Sequence, residues 1–201
     1  MAARRTLLLT SFGAFPGAPV NPSEAVAALA TRLVRRRLER IGIELVTAGL
    51  PVVFAAVGAE VARLKARHAP AGTLHLGLAA SRKTMTPETR AMNRLTLRHP
   101  DASGACALNA WVRLSGAFLL PSTLSAARLT RVLRSCGIAA RPSLSAGSYV
   151  CNQALYLSLL SGGGRVGFIH LPQPRAALST RLMAGGVAAC LMDMAKLTHK
   201  L

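Results

Sequence analysis

The sequence predicts an α/β fold: a single domain over residues 1–201 with a mostly parallel, twisted sheet and helices on both faces. Short apolar runs alternate with segments whose apolar residues recur at helical spacing, and Gly and Pro separate the two kinds of segment. A chain of 201 residues supports one substantial core, whereas two domains would each be small. Because parallel strands need crossover helices, this alternation favours a sheet covered on both faces.

The first half of the chain shows the alternation clearly. Residues 6–9, TLLL, predict a buried strand that ends in a Gly- and Pro-rich loop. Asn21 and Pro22 form a helix-start signature, so a first helix is expected over 22–41. IELVTAGLPV then predicts a second strand, FAAVGAEVARLKARHAP a helix that stops near Pro70, and TLHLGLA a third strand.

The second half contains an interruption. The segment SRKTMTPETRAMNRLTLRHPDASG is polar and turn-rich, as a long excursion from a compact domain often is when it carries function. A helix is then expected over 122–137, capped by Ser122 or Thr123. The remaining predicted elements are a strand around PSLSA, a helix that starts close to Cys151, a strand over 166–171 and a helix from about 176 to 198.

Basic residues dominate the charged positions. The chain has 25 Lys and Arg against 7 Asp and Glu, which gives a formal net charge of +18. Such a charge attracts polyanions. However, the basic residues are scattered, and aromatic residues make up only 4% of the chain, so few side chains are available to stack on bases. We therefore expect only non-specific contact with nucleic acid.

Hydropathy and cysteine usage favour a cytoplasmic protein without a membrane segment. No apolar run approaches the ~18 residues that a membrane span needs. The N-terminal stretch MAARRTLLLTSF is too short for the apolar core of a secretory signal. The cysteines are widely spread and form neither a C-x-x-C pair nor a zinc-ligand spacing, so neither a disulfide framework nor a metal site is predicted.

One cysteine differs from the others in its position. Cys106, Cys136 and Cys190 lie among small or apolar neighbours and are predicted to be structural. Cys151 lies at a predicted strand-to-helix junction, where the first-turn amides and the helix dipole are expected to stabilise a thiolate. The same N–H groups could hold an oxyanion, so Cys151 is the candidate nucleophile of an acyl-transfer reaction.

A cysteine nucleophile needs a base, and His170 is the best placed histidine. It stands near the end of the apolar run VGFI, and functional groups gather at the carboxyl ends of parallel strands. We therefore expect His170 and the loop before Cys151 to open on the same edge of the sheet. The alternative is a strand-end histidine with only a structural role.

Four segments in collinear order resemble one family. They are similar to motifs of pyroglutamyl peptidase I, the pyrrolidone-carboxylate peptidase family of cysteine peptidases. In chain order, the four segments are LLLTSFGAFPGAPVNPS, TPETRAMN, SAGSYVCNQALY and GFIHLP. The resemblance implies a cysteine exopeptidase that hydrolyses the amide bond after an N-terminal pyroglutamyl (5-oxoproline) residue. It also implies that no cofactor is needed and that the chain assembles as a homo-oligomer, a dimer or a tetramer.

The resemblance assigns three reacting groups. It makes Cys151 the nucleophile, His170 the general base and Glu88 the carboxylate that orients the imidazole. A carboxylate in this position fixes the tautomer of the imidazole and stabilises the imidazolium. From its local sequence alone, Glu88 follows Thr86 and Pro87 as a first-turn acid at the start of a helix would, and both roles are compatible.

The resemblance also implies residues around the reacting groups. Phe12 and Phe15 correspond to phenylalanines that line the pocket for the lactam ring, which suits an uncharged ligand. Leu78 occupies the place of a glutamine expected to reach the lactam. Side chains implied to support the site from nearby are Arg82, Asn93, Arg98 and Asn152.

Departures from the family's pattern leave two alternatives. Besides Leu78, Thr96 stands for an aspartate, Ala102 for an asparagine and Pro16 for a glycine. One alternative is therefore a related thiol amidohydrolase with an altered lactam or amide preference. The other, suggested by the charge, is a basic nucleic-acid-binding protein on a degenerate peptidase scaffold.

Overall fold

The computed structural model describes residues 5–15 and 17–198, and Pro16 lies outside these described residues. The elements in chain order are β1 (Arg5–Phe12), α1 (Pro22–Arg40), β2 (Ile43–Leu50), α2 (Phe54–His68), β3 (Gly72–Leu78), β4 (Thr86–Pro87), β5 (Arg90–Met92), β6 (Leu119–Pro121), α3 (Ala126–Ser135), α4 (Val150–Leu160), β7 (Arg165–Leu171) and α5 (Thr180–Thr198).

The main sheet has the strand order β2-β1-β3-β7-β4. Strands β2, β1, β3 and β7 are parallel, and the short β4 pairs antiparallel with β7. β3 is buried along its whole length, as a central parallel strand must be, whereas β2 alternates buried and exposed residues because it lies at the edge. β5 and β6 form a separate antiparallel pair. The prediction of an α/β fold with a mostly parallel sheet is confirmed.

Helices cover both faces of the main sheet. Along β1, Leu7 and Leu9 pack with the helices α1, α3 and α5, while Leu8 and Phe12 pack with α2 and α4. This split follows from the strand repeat, in which successive side chains point to opposite faces. Consequently α4, which carries Cys151, lies on the α2 side of the sheet. None of the described helices is long and apolar enough to cross a membrane.

The start of α1 agrees with the sequence prediction, and the start of α3 does not. α1 begins at Pro22 as expected, with the Asn21 side chain accepting a hydrogen bond from the amide of Ser23. α3 begins later than expected and is capped by Ser125 rather than by Ser122 or Thr123. The hydroxyls of those two residues bond to distant backbone instead, at the Glu88 carbonyl and the Val166 amide.

The last helix also starts late, and one predicted strand does not form. Arg175 and Leu178 exchange backbone hydrogen bonds in a turn, so α5 begins at Thr180 and not near 176. The segment PSLSA makes only an isolated bridge between Ser143 and Glu88. It runs beside the excursion without extending a sheet, because the carbonyls of Leu144 and Ser145 accept from the side chains of Arg90 and Arg82 and not from a neighbouring strand. The excursion itself contains β4 and β5, which the sequence did not indicate.

Candidate active site

Cys151 is the second residue of α4. Tyr149 is the N-cap of this helix and no side chain caps it, so the first-turn amides are not taken by a capping group. β3 passes close to the thiol at Gly77, where an added Cβ would lie 2.9 Å from the Sγ of Cys151 and 2.7 Å from the Phe168 ring. A glycine is therefore required here for the thiol to approach the strand.

His170 is held from behind by a carboxylate. Its Nδ1 lies 2.8 Å from the Oε1 of Glu88, and both side chains are almost completely buried. Two backbone contacts fix this distance: β4 pairs Thr86 with His170, and the Glu88 amide donates to the Phe168 carbonyl at 2.9 Å. Glu88 thus follows a strand, and the suggestion that it starts a helix is wrong, because antiparallel pairing with β7 takes the backbone that a helix would use.

Arg82 joins the Glu88 segment to the loop that leads to Cys151. Its Nη1 donates to the Oε1 of Glu88 at 2.5 Å and also to the hydroxyl of Thr86, while its Nη2 donates to the Ser145 carbonyl at 2.8 Å. One guanidinium therefore contacts the carboxylate bound to His170 and the backbone six residues before Cys151.

Cys151 and His170 line the same cavity, which has a volume of about 230 Å³. Its lining is mostly apolar and includes Phe12, Phe15 and Leu78, the residues that the resemblance implied for a substrate pocket. The sequence analysis missed other members of the wall, and these are Asn21, Val52, Ala79, Ser81, Ala146, Gly147 and Tyr149. Tyr149 could have been predicted because it lies two residues before Cys151 in the chain, whereas no sequence signal marks Val52.

Aromatic rings pack along the cavity. Phe168 lies 4.5 Å from the His170 ring, centroid to centroid, and 6.3 Å from the Phe12 ring. Tyr149 contacts Phe15 at 5.8 Å and Phe54 edge-on at 5.3 Å. Phe168 was not predicted from the sequence, although it lies two residues before His170 and therefore on the same face of the strand.

Three of the residues expected to support the site lie outside the cavity wall. Asn152 accepts from the Met92 amide and donates to the Met92 carbonyl, which ties α4 to β5. Asn93 bonds to the backbone of Arg113 through both ends of its amide. Arg98 is exposed on a loop, with its amide donating to the hydroxyl of Thr96, and it does not line the cavity. Arg82 alone of the four reaches the cavity.

Burial sets the protonation states of the two reacting groups. It raises the pKa of the Cys151 thiol to about 12, and the negative charge of Glu88 acts in the same direction. A backbone hydrogen bond and the Arg82 charge oppose this rise in pKa without offsetting it. Burial also lowers the pKa of His170, although the hydrogen bond and charge of Glu88 counteract it. Both pKa shifts favour a thiol and a neutral imidazole over the thiolate that the helix start was expected to stabilise.

The other cysteines differ in exposure. Cys190 is buried and Cys136 is half-buried, which suits a structural role. Cys106 is exposed, so its expected role as a small buried hydrophobe is wrong. It follows a tight turn around Asp101, whose carboxylate accepts from Ser103 and Ala105, and this turn leaves the thiol on the surface. Among residues 5–15 and 17–198, no group of three or more His, Cys, Asp or Glu could hold a metal ion.

An α/β fold with a thiol at a helix start and a carboxylate-bound imidazole on the same cavity has the features of a cysteine peptidase. The family model described as pyroglutamyl peptidase matches residues 5–194. The chain therefore belongs to the pyroglutamyl peptidase family, as its motifs suggested.

Individual relatives agree with this membership. The pyrrolidone-carboxylate peptidase of Pseudomonas fluorescens strain SBW25 is 32% identical over 94% of this chain and 92% of its own length. That of Cupriavidus pinatubonensis is 38% identical over 84% of this chain and 78% of its own. The crystal structure of the Thermus thermophilus pyrrolidone carboxyl peptidase superposes with a TM-score of 0.81 at 35% identity, covering 92% of this chain and 98% of that one.

Proposed function

We propose that this chain removes N-terminal pyroglutamyl residues from peptides, with Cys151 as nucleophile, His170 as general base and Glu88 as the group that orients the imidazole. The observation that carries the proposal is the 2.8 Å contact between Nδ1 of His170 and Glu88, at a cavity that Cys151 also lines. Family membership supplies the substrate class, since the relatives bear the name pyrrolidone-carboxylate peptidase.

The first half of the reaction forms a thioester. With Nδ1 held by Glu88, the Nε2 of His170 takes the thiol proton as the Sγ of Cys151 attacks the carbonyl carbon that joins pyroglutamate to the next residue. The uncapped first-turn amides of α4 are available to stabilise the resulting oxyanion. His170 then gives its proton to the leaving amine, and the C–N bond breaks.

The second half restores the enzyme. A water molecule attacks the thioester carbon while His170 takes one of its protons. The Sγ–C bond breaks, free pyroglutamate leaves, and the proton returns to the thiol. A thiol and a neutral imidazole are the right starting forms for this sequence, because the base must be unprotonated when the nucleophile is still protonated.

The cavity suits an uncharged five-membered lactam. Phe12, Phe15 and Leu78 supply apolar contact on its wall. Asn21 uses one N–H on the Gly13 carbonyl and one oxygen lone pair on the Ser23 amide, which leaves one N–H and one lone pair for a ligand. Polar contacts to the lactam are therefore available from Asn21 and Ser81 on the cavity wall and from main-chain groups of the surrounding loops.

The test compares release of a fluorescent amine from pyroglutamyl and prolyl reporters by the wild-type protein, Cys151→Ser and Cys106→Ser. We expect the pyroglutamyl reporter to be hydrolysed by the wild-type protein and by Cys106→Ser, and the rate to fall by about 10³-fold or more in Cys151→Ser. The proposal would be contradicted if no pyroglutamate were released at high enzyme concentration. Hydrolysis of the prolyl reporter instead would favour the related thiol amidohydrolase.

We further propose a cytoplasmic homo-oligomer that contacts nucleic acid only non-specifically. Four free cysteines suit a reducing compartment. Large apolar side chains are exposed on residues 105–118, which follow the excursion, among them Leu108, Trp111, Leu114 and Phe118, and a partner subunit would cover them. Light scattering measures the assembly directly, and a mass of 21.0 kDa, that of one chain, would contradict it.

A further inference from the structure

Two segments flank the His170 end of the cavity. They are residues 79–84, which follow β3, and residues 171–179, which begin at the end of β7. The register pairs Gly77 with His170, and the Ala79 amide donates to the Leu171 carbonyl at 2.9 Å, so the two segments leave the sheet side by side. In the proposed reaction His170 protonates the leaving amine. The residue that follows pyroglutamate must therefore lie at this end.

These two segments carry cations and no acids. Their sequences, AASRKT and LPQPRAALS, contain Arg82, Lys83 and Arg175 but neither Asp nor Glu. Arg82 is already committed to the buried Glu88. Lys83 and Arg175 are exposed and form no ion pair with an acid in the described part of the chain, and the Nη2 of Arg175 donates to the Lys83 carbonyl at 2.7 Å. That bond holds the Arg175 guanidinium against the backbone of Lys83, and the two residues before Lys83, Ser81 and Arg82, line the cavity.

We propose that the enzyme prefers pyroglutamyl peptides whose second residue is acidic, and that Lys83 and Arg175 determine this preference. The inference rests on the proposed function, because it concerns the leaving group of that reaction. A side-chain carboxylate on the second residue would be attracted by the two cations of the segments that leave the sheet beside His170, whereas a lysine there would be repelled. For exposed charges, each cation contributes about twofold to threefold at low ionic strength, and the two contributions multiply.

The experiment uses three peptide amides: pyroglutamyl-glutamate, pyroglutamyl-glutamine and pyroglutamyl-lysine. The Glu and Gln peptides differ almost only in the charge of the side chain. The C-terminal amide replaces the terminal carboxylate, whose own negative charge would obscure the effect of the side chain. We expect kcat/KM to fall in the order Glu, Gln, Lys, with the Glu substrate favoured over Gln by about fivefold to tenfold at low salt. Raising the salt to about 0.5 M should shrink this ratio, because exposed charges are screened.

Variants separate local recognition from the general charge of the chain. Lys83→Gln and Arg175→Gln should each lower the Glu/Gln ratio of kcat/KM, while Lys83→Arg and Arg175→Lys should keep it. Arg35→Gln removes a cation from the exposed side of α1, on the opposite face of the sheet, and should leave the ratio unchanged.

Each outcome supports or overturns the inference. Equal kcat/KM for the three amides in the wild-type protein would overturn it, as would a Glu/Gln ratio that Arg35→Gln lowers as much as Lys83→Gln does. In both cases continued release of pyroglutamate leaves the proposed function standing. Failure to cleave any of the three amides would overturn the proposed function and this inference together.

Discussion

The two sides of the cavity are built by different kinds of interaction. On the His170 side, Glu88, Arg82 and His170 form a chain of directional hydrogen bonds inside buried backbone pairing. On the apolar side, the rings of Phe15 and Tyr149 pack against each other and line the cavity from loops, and the Tyr149 hydroxyl donates its hydrogen bond to the Pro100 carbonyl rather than to another group on the cavity wall. Directional bonds fix where a proton can move, whereas apolar contacts fix only the shape that a ligand must fill. Changes on the first side should therefore affect kcat, and changes on the second should affect binding.

The largest expected effect is on the His170 side. Glu88→Gln removes the charge that supports the imidazolium formed when His170 takes the thiol proton. We expect kcat for a pyroglutamyl reporter to fall by about 10²-fold or more, with KM little changed. Glu60→Gln, which removes an acid paired with Arg63 on the surface of α2, is the matched control. A loss confined to KM would show that Glu88 acts on binding, and circular dichroism would reveal any loss of folding.

On the apolar side the effect should be smaller and of another kind. Phe15→Ala removes a ring from the cavity wall and should lower kcat/KM by about tenfold, mainly through a higher KM, because apolar contact with the lactam is lost. Phe15→Leu keeps most of the apolar volume and should stay close to the wild-type value. Steady-state kinetics on the same reporter separates KM from kcat, and an equal fall of kcat in both variants would contradict the division between the two sides.

The smallest effect is a shift in the pH profile. Burial lowers the pKa of His170, and the reaction needs the neutral imidazole, which exists above that pKa. As pH falls through the pKa of His170, kcat/KM should fall. The acid limb should therefore have its midpoint below the ordinary imidazole value of about 6.5. Measuring kcat/KM from about pH 4.5 to 8 tests this, and a midpoint above 7 would mean that Glu88 outweighs burial.

Much of the fold could be predicted from the sequence. Apolar runs located β1, β3 and β7, because a strand buried on both faces needs uninterrupted apolar residues, and the segment IELVTAGLPV located the edge strand β2. The start of α4 beside Cys151 and the place of His170 near the end of β7 followed from the same patterns. The family followed from four motifs, and the family model confirms it.

Tertiary structure decided the rest. Periodicity reports which residues face the core, but it does not report which distant segments pair. Nothing local indicated that β4 would pair with β7 and carry Glu88 to His170, or that Val52 and Tyr149 would meet at one cavity. Protonation depends on the same three-dimensional surroundings. The sequence placed Cys151 at a helix start that favours a thiolate, whereas burial and the nearby Glu88 charge raise the pKa of the thiol and favour its protonated form.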